Sequence, residues 1–251
     1  MSRMARRLLL RVQAMNGRYL LDPLRAASYI AAGVWMTACG GRPASLIPEP
    51  LPAASPESVT VWTDGIGPTR PVALRFKWRY RDQRVSGGGR GTARVAPPDS
   101  VRVDWATSFN IKTGAAVVVG DSLHWADPKD QFSSSVAQAL QLVWTALGVV
   151  RPPLAGAVVT AVRDSARVLW RHAESRDTVD YRLVTAAPRT LEAEWRREGR
   201  VMARSRTVLG SAGLPQSVRI DVPERPARFE LTFVAVDTTA TFAPALWRRR
   251  R

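Results

Sequence analysis

Residues 72–80 read VALRFKWRY, and this stretch decides the fold class of the chain. Its large apolar side chains fall on every second position and alternate with small or basic ones. A period of two places the apolar residues on one face of a β-strand and the basic residues on the other. The same alternation recurs in residues 101–105 and 191–195. The sequence therefore predicts half-buried antiparallel strands and a mainly β fold.

Apolar runs of strand length continue through the rest of the chain. Proline, glycine and aspartate separate them at short intervals, which is typical of hairpin turns. The runs cover residues 91–95, 115–119, 123–125, 154–162, 179–183, 201–208, 218–222 and 229–236. Together they predict one strongly curved antiparallel sheet of ten or eleven strands.

One segment in the middle of the chain breaks this period. Val136, Leu140, Val143, Trp144 and Leu147 follow helical spacing. Serines precede the segment and a glycine follows it, which suits the start and the end of a helix. The sequence predicts an amphipathic helix inserted between two groups of strands.

The first 38 residues have the composition of an export signal. Six arginines lie in residues 3–25, and an apolar, small-residue run over 26–38 then meets Cys39. This run is too short to span a bilayer as a stable anchor. Cys39 is the only cysteine, so the folded part of the chain has no internal disulfide.

The residues around Cys39 resemble the lipobox of bacterial lipoproteins. Met36, Thr37 and Ala38 precede the cysteine and Gly40 follows it, with Met36 where leucine is usual. The resemblance implies cleavage before Cys39 and a lipid on its sulfur. Gly40, in place of an aspartate, then favours the outer membrane, facing the periplasm. The alternative for Cys39 is a small buried apolar side chain.

These features divide the chain into four parts. Residues 1–38 are predicted to be a lipoprotein signal peptide, with Met1, Met4 or Met15 as its start. Residues 39–57 are rich in proline, alanine and serine and are predicted to form a flexible tether. The β domain is expected to occupy residues 58–247, followed by a basic tail over 248–251.

The net charge of +16 bears on the kind of partner. The first 38 residues hold six arginines and one aspartate, so +11 remains on the rest of the chain. A basic surface attracts the phosphates of nucleic acid, anionic lipid or lipopolysaccharide. Export favours lipid and argues against nucleic acid. The alternative is an arginine-rich face that is only solvated.

No arrangement of residues predicts catalysis or a cofactor. The chain has only two histidines, His124 and His172, both expected at the surface, and no G-x-S-x-G motif. The isolated histidines and the single cysteine do not suit a metal site. The glycines of residues 87–91 suit a hairpin or a bend better than a phosphate loop, because strands are predicted on both sides. We expect no enzyme activity and no cofactor; a hydrolase is the weaker alternative.

The tryptophans leave two interpretations open. The chain has nine, and most of those after residue 60 lie on predicted inward strand faces or on the helix. Large rings on an inward face either fill a dry core or line a cavity. The sequence does not choose between these two interpretations.

The layout of residues 58–246 resembles the LolA/LolB-like carriers and acceptors of lipoprotein localisation. The likeness rests on residues 91–105 with their Pro-Pro-Asp turn, on residues 117–125, on the mid-chain helix and on the strand pair before residue 244. It implies an unclosed β-barrel of about eleven strands with a helical lid. The concave apolar face of such a barrel shields lipid chains.

On this resemblance we expect a monomer that binds acyl chains of membrane lipid or of lipoproteins and anchors through Cys39. The alternative is a non-catalytic outer-membrane interaction protein with a fully packed core. The cavity is predicted to be lined by Trp78, Val101, Val103, Trp105, Trp125 and Phe233, with Leu140 and Trp144 in the lid.

Overall fold

The computed structural model describes residues 45–47, 50–108, 112–120, 122–127, 142–150, 153, 156–224 and 226–248. All of them belong to one compact unit, Ser45–Arg251. The predicted lipidation site, Cys39, and the predicted lid residue Leu140 lie outside the described residues.

Twelve antiparallel strands form one sheet. They are β1 (Val72–Arg81), β2 (Ser86–Ala96), β3 (Ser100–Thr107), β4 (Thr113–Val119), β5 (Ser122–Asp127), β6 (Val158–Arg163), β7 (Arg167–Glu174), β8 (Asp177–Val184), β9 (Thr190–Arg197), β10 (Arg200–Leu209), β11 (Pro215–Val222) and β12 (Ala227–Asp237). The prediction of a mainly β fold is confirmed. The strand count is twelve instead of ten or eleven. In β7, Val168, Leu169 and Trp170 are buried in succession, which hides the period of two.

The strand order is β5-β4-β3-β2-β1-β12-β11-β10-β9-β8-β7-β6. Each strand pairs with its neighbours in sequence, and β1 pairs with β12, so the first and last strands lie side by side in the middle. β5 and β6 are the two edges, and the sheet is not closed. Two meanders thus meet at β1 and β12.

Within the described residues, three short helices accompany the sheet: α1 (Pro56–Trp62), α2 (Val143–Ala146) and a 3-10 helix over Pro244–Trp247. The side chain of Ser55 caps α1 by accepting a hydrogen bond from the Ser58 N–H at 3.2 Å. α2 lies at the end of the predicted mid-chain helix, and Gly148 just beyond it has φ +75°. Residues 136–141 of that predicted helix, and the serines at 133–135 before it, lie outside the described residues.

We call the face of the sheet that packs against α2 the inner face. Val72, Leu74 and Phe76 of β1 lie on it and form one buried cluster with Trp144 of α2 and Leu147. Alternate residues of β1, such as Arg75, lie on the opposite, outer face. A second inner cluster around Trp170 fills the half of the sheet near β6 and contains Val59 of α1. All the core clusters of the described residues lie within Ser45–Arg251, so we expect this unit to fold by itself.

Part of the segment predicted as a tether packs on the domain. Ile47 is only 2% exposed. Ala53 forms an isolated bridge with Thr160 of β6, supported by a 2.9 Å hydrogen bond from the Ala161 N–H to the Pro52 carbonyl. The described part of the predicted tether 39–57 is therefore bound to the sheet, because its few apolar residues and backbone groups find partners there.

Candidate functional site

The middle of the inner face is dry and tightly packed. Val101 of β3 is 0% exposed and lies with Val95 of β2 and Val118 of β4 beneath Trp144 and Leu147. The Trp144 Nε1–H donates to the Gly120 carbonyl at 2.9 Å, which fixes the ring above the sheet. A ligand cannot enter this part without displacing core side chains.

Towards one end of the strands, the inner face is lined by half-buried apolar side chains. We call this set the aromatic zone: Trp78 of β1, Val103 and Trp105 of β3, and Leu231 and Phe233 of β12. All but Trp105 pack against the dry middle, and strand register places Trp105 on the same face as Val103. The Phe233 ring meets Phe76 edge to face at 6.0 Å. This zone is the candidate lipid-binding surface.

Two glycines, Gly91 and Gly114, lie beneath aromatic rings of the inner face. Phe76, Trp78 and Tyr80 of β1 pair across the ladder with Gly91, Gly89 and Gly87 of β2. A Cβ atom on Gly91 would lie 2.5 Å from the Phe76 ring. A Cβ atom on Gly114 of β4 would similarly lie 2.0 Å from the Trp105 ring. The rings therefore lie flat over neighbouring glycine backbone. The glycine run predicted as a hairpin or bend is part of the continuous strand β2, which pairs on both sides.

The structure brings most of the predicted cavity residues together, with different exposures. Trp78, Val103, Trp105 and Phe233 lie in the aromatic zone. Val101 and Trp144 are buried in the dry middle. Whether any of them contacts a lipid stays a prediction.

Trp125 lies on the outer face, and the prediction that it faces inward with Trp105 is wrong. A β-bulge between Val117 and Val118 shifts the pairing of β4 with β5, so that Trp125 pairs with the outward Val117. The Trp125 Nε1–H donates to the Trp247 carbonyl at 3.0 Å, and the Arg102 guanidinium lies 5.3 Å from its ring centre. Trp125 thus helps to hold the C-terminal 3-10 helix against the outer face.

A groove of about 880 Å³ runs across the outer face of β1–β5. Its small residues Ala106 and Ala115 lie between Arg75 and Lys77 of β1 and Trp125 of β5. Asp104 in the groove accepts hydrogen bonds from Arg102 and pairs with Arg94. The side chains of Arg75 and Lys77 make the β1 side of the groove cationic.

The outer face of β7–β10 carries a different arrangement, which we call the ion-pair layer. Its central carboxylates, Asp180 and Glu194, are each 0% exposed. Asp180 accepts from Arg171 Nε at 2.5 Å, and this hydrogen bond raises the pKa of Arg171 above its usual value. Glu194 pairs with Arg196 and Arg204. The layer also contains Arg182, Glu192 and Arg206.

Sequence analysis missed this layer, although a signal was present. On outward positions of neighbouring strands the charges alternate in sign, as in Arg182 of β8, Glu192 of β9 and Arg206 of β10. Pairing them requires the strand register, which the sequence alone does not supply.

His172 is half-buried, so the prediction that it lies at the surface is wrong. It points to the inner face of β7, with its ring centre 5.4 Å from that of Tyr181. Burial lowers the pKa of His172 to about 4. Its Nε2 atom is buried and has no hydrogen-bond partner among the described residues. The imidazole is therefore neutral at physiological pH and is packed as a core side chain.

The described residues contain no group of three or more His, Cys, Asp or Glu side chains that could hold a metal ion. None of the helices in the described ranges is long and apolar enough to cross a membrane. The pKa of Tyr80 is raised to about 12 by burial and by its hydrogen bond to Asp82.

Comparison with solved structures identifies the fold. A LolA superfamily protein from Nitrosomonas europaea superposes with a TM-score of 0.55 and 12% sequence identity, covering 78% of this chain and 99% of the other. This chain has a LolA-like fold. A domain from Vibrio parahaemolyticus named for outer membrane lipoprotein sorting gives a TM-score of 0.50 at 8% identity, covering 76% of this chain and 95% of the other. No family model and no curated protein matches the sequence.

Proposed function

We propose that this LolA-like protein binds acyl chains of a lipid or a lipoprotein in the aromatic zone of its inner face. The observation that carries the proposal is the exposure pattern of that face. Its middle is dry, whereas Trp78, Trp105 and Phe233 beside it are only half-buried. Half-buried aromatic rings next to a packed core offer apolar surface that a chain can cover without unfolding the domain.

Burial alone supplies enough free energy for such binding. Each methylene group removed from water contributes about 0.8 kcal/mol, so a chain segment of several methylenes binds without any covalent step. The Trp105 ring is held flat over Gly114, so it presents area at little further cost in side-chain entropy. We therefore propose a non-catalytic role in lipid or lipoprotein transfer or localisation.

The proposed location follows from the N-terminal sequence. A lipid on Cys39 would hold the domain at the outer membrane, facing the periplasm, where lipoproteins and phospholipids are both available. The fold supports this proposal, because a domain named for outer membrane lipoprotein sorting in another bacterium has a similar structure.

The alternative is an interaction protein that binds no lipid on its inner face. The packing of Trp144 and Leu147 onto Leu74 and Val101 favours it, because that part of the inner face is closed. The two functions differ in whether the aromatic zone takes up an apolar ligand.

Native mass spectrometry of the purified unit Ser45–Arg251 tests the proposal, with lipid extraction and added palmitate as the probe. The chain offers a matched pair of variants. Trp105→Gln removes a ring from the aromatic zone, and Trp125→Gln removes a half-buried ring from the outer face.

We expect co-purifying lipid or palmitate uptake in the natural protein, reduced on the order of 10-fold in Trp105→Gln and retained in Trp125→Gln. Thermal unfolding of all three proteins confirms that they are folded. An apo mass with no palmitate uptake by the folded natural protein would refute the proposal and favour the interaction protein.

A further inference from the structure

The outer face of β1 carries a row of exposed cations that the acyl-chain proposal does not use. Arg75, Lys77, Arg79 and Arg81 occupy alternate positions and are all exposed; we call them the β1 stripe. Residues two apart in a strand are separated by about 7 Å, so the stripe is about 20 Å long.

Neighbouring carboxylates offset only part of the charge of the stripe. Within the described ranges, none of its four side chains forms a salt bridge, in contrast to Arg94 and Arg102 on the next strands. Glu230 of β12 stands opposite Arg79 in the strand register, and Asp237 lies near Arg75.

The turn at the end of the stripe adds a cation and an apolar side chain. Asp82 holds this turn by accepting from the backbone N–H groups of Arg84 and Val85 and from the Tyr80 hydroxyl at 2.6–2.7 Å, and these hydrogen bonds lower its pKa. Val85 is 59% exposed at the tip, beside Arg84. The tip thus extends the stripe by one exposed arginine and one exposed aliphatic side chain.

We propose that the β1 stripe and the Arg84–Val85 tip form a docking surface for the anionic phospholipid headgroups of a membrane. Charge complementarity carries the choice of partner. The four cations of the stripe and Arg84 outnumber the three nearby carboxylates, which are Asp82, Glu230 and Asp237. Single-stranded nucleic acid, the other polyanion, is usually bound on exposed aromatic platforms. Here Phe76, Trp78 and Tyr80 of the same strand all lie on the inner face. On the outer face, the Trp125 ring already contacts the Trp247 carbonyl and the Arg102 guanidinium.

Docking through this surface is independent of acyl-chain binding, because the two use opposite faces of β1. It would hold the domain flat against a bilayer surface through several headgroups at once. Each cation near an anionic surface contributes about 1 kcal/mol, which corresponds to roughly a 5-fold change in partition.

Vesicle co-sedimentation of the unit Ser45–Arg251 tests the proposal. The probes are vesicles of pure phosphatidylcholine and vesicles of equal parts phosphatidylcholine and phosphatidylglycerol. The test variant is Lys77→Gln/Arg79→Gln/Arg81→Gln. The matched control, Arg163→Gln/Arg176→Gln/Arg200→Gln, removes the same charge from exposed arginines of β6, the β7–β8 turn and β10.

We expect binding to the anionic vesicles only, weakened by added salt, and reduced on the order of 100-fold in the stripe variant. The control variant should lose much less. An equal loss in both variants would show that net charge alone acts, and equal binding to both vesicles would show that headgroup charge is not recognised; either overturns the proposal.

Two further measurements keep the outcomes distinct. Tighter binding to a single-stranded oligonucleotide than to the anionic vesicles would assign the surface to nucleic acid and overturn the proposal. Palmitate uptake should be unchanged in the stripe variant, so that a failure of docking is separable from a failure of acyl-chain binding.

Discussion

The outer face of this sheet carries arginines in two regions, which differ in whether the arginines form salt bridges. In the ion-pair layer of β7–β10, arginines lie around Asp180 and Glu194, which are fully buried. In the β1 stripe, the cations are exposed and form no salt bridge to a described residue. Arginines thus stabilise the fold in one region. In the other region the cations stay exposed, where a partner can bind them.

A segment from the N-terminal side covers the ion-pair layer. The Arg196 Nη2–H donates to the Ser45 hydroxyl at 2.6 Å, and Arg171 Nη2 donates to the Ile47 carbonyl at 3.4 Å. This cover lowers the local dielectric, which strengthens the ion pairs and makes an unpaired charge there costly. No such contact is present on the β1 stripe within the described residues. We therefore expect substitutions in the two regions to differ in their effect on the free energy of unfolding.

The largest effect is expected for Glu194→Gln. This variant removes the buried carboxylate that pairs with both Arg196 and Arg204, and it leaves Arg196 with the longer pair to Asp180 at 3.8 Å. Breaking a buried pair in this way should lower the free energy of unfolding by about 3–5 kcal/mol, measured by urea denaturation.

Glu230→Gln is the control for that variant. Glu230 lies beside the stripe, is half-buried and forms no salt bridge to a described residue, so we expect a change within about 0.5 kcal/mol. Similar losses in the two variants would contradict the distinction between the regions.

The next largest effect is expected for Ile47→Ala, which removes part of the cover. Ile47 is 2% exposed, and truncating a buried isoleucine costs about 2–4 kcal/mol. Val85→Ala, at the exposed tip beside the stripe, should change the free energy of unfolding by less than about 0.5 kcal/mol. If Ile47→Ala were as mild as Val85→Ala, the segment would not stabilise the ion-pair layer.

The strands of the layer should also be sensitive to acid through His172 on their inner side. Burial lowers the pKa of His172 from about 6.5 in the unfolded chain to about 4 in the fold. Between these values the unfolded chain binds more protons, so stability contributed by the neutral imidazole is present above pH 6.5 and is lost as the pH falls towards 4.

We expect this group to account for about 3 kcal/mol of lost stability over that range, because one pKa unit corresponds to about 1.4 kcal/mol. His172→Phe fills the same inner position without a titratable group and should flatten the pH dependence of urea unfolding by that amount. An equal acid response in the natural protein and in His172→Phe would contradict the assignment.

The sheet was predictable from the sequence because the period of two survives in most strands. In β1 the alternation of Leu74, Phe76 and Trp78 with Arg75 and Lys77 assigns both faces correctly. Trp125 was misplaced because a bulge reverses the alternation without leaving a mark on the pattern of residue types. The period also fails in β7, where both faces of the strand are buried.

The candidate site was predictable only in part. The aromatic residues could be assigned to the inner face, but the division between a dry middle and a half-buried zone depends on where Trp144 and Leu147 pack. Likewise, the sequence shows that Arg79 and Arg204 are both outward arginines of strands. Only the register shows that Arg204 meets a buried carboxylate, because the partner, Glu194, lies on the neighbouring strand.

The smallest effect is expected where the cations are exposed. Lys77→Gln/Arg79→Gln/Arg81→Gln should change the free energy of unfolding by less than about 0.5 kcal/mol, because no described carboxylate loses a salt bridge. Relief of repulsion between neighbouring cations could even make the change slightly stabilising. Urea denaturation at low salt measures the total change in the free energy of unfolding. The same measurement at high salt gives the change with the repulsion between cations screened. A loss of several kcal/mol would mean that the stripe stabilises the fold as the ion-pair layer does. Unchanged stability combined with lost vesicle binding would instead show that the stripe binds anionic headgroups, whereas the arginines of the ion-pair layer on the same face stabilise the fold.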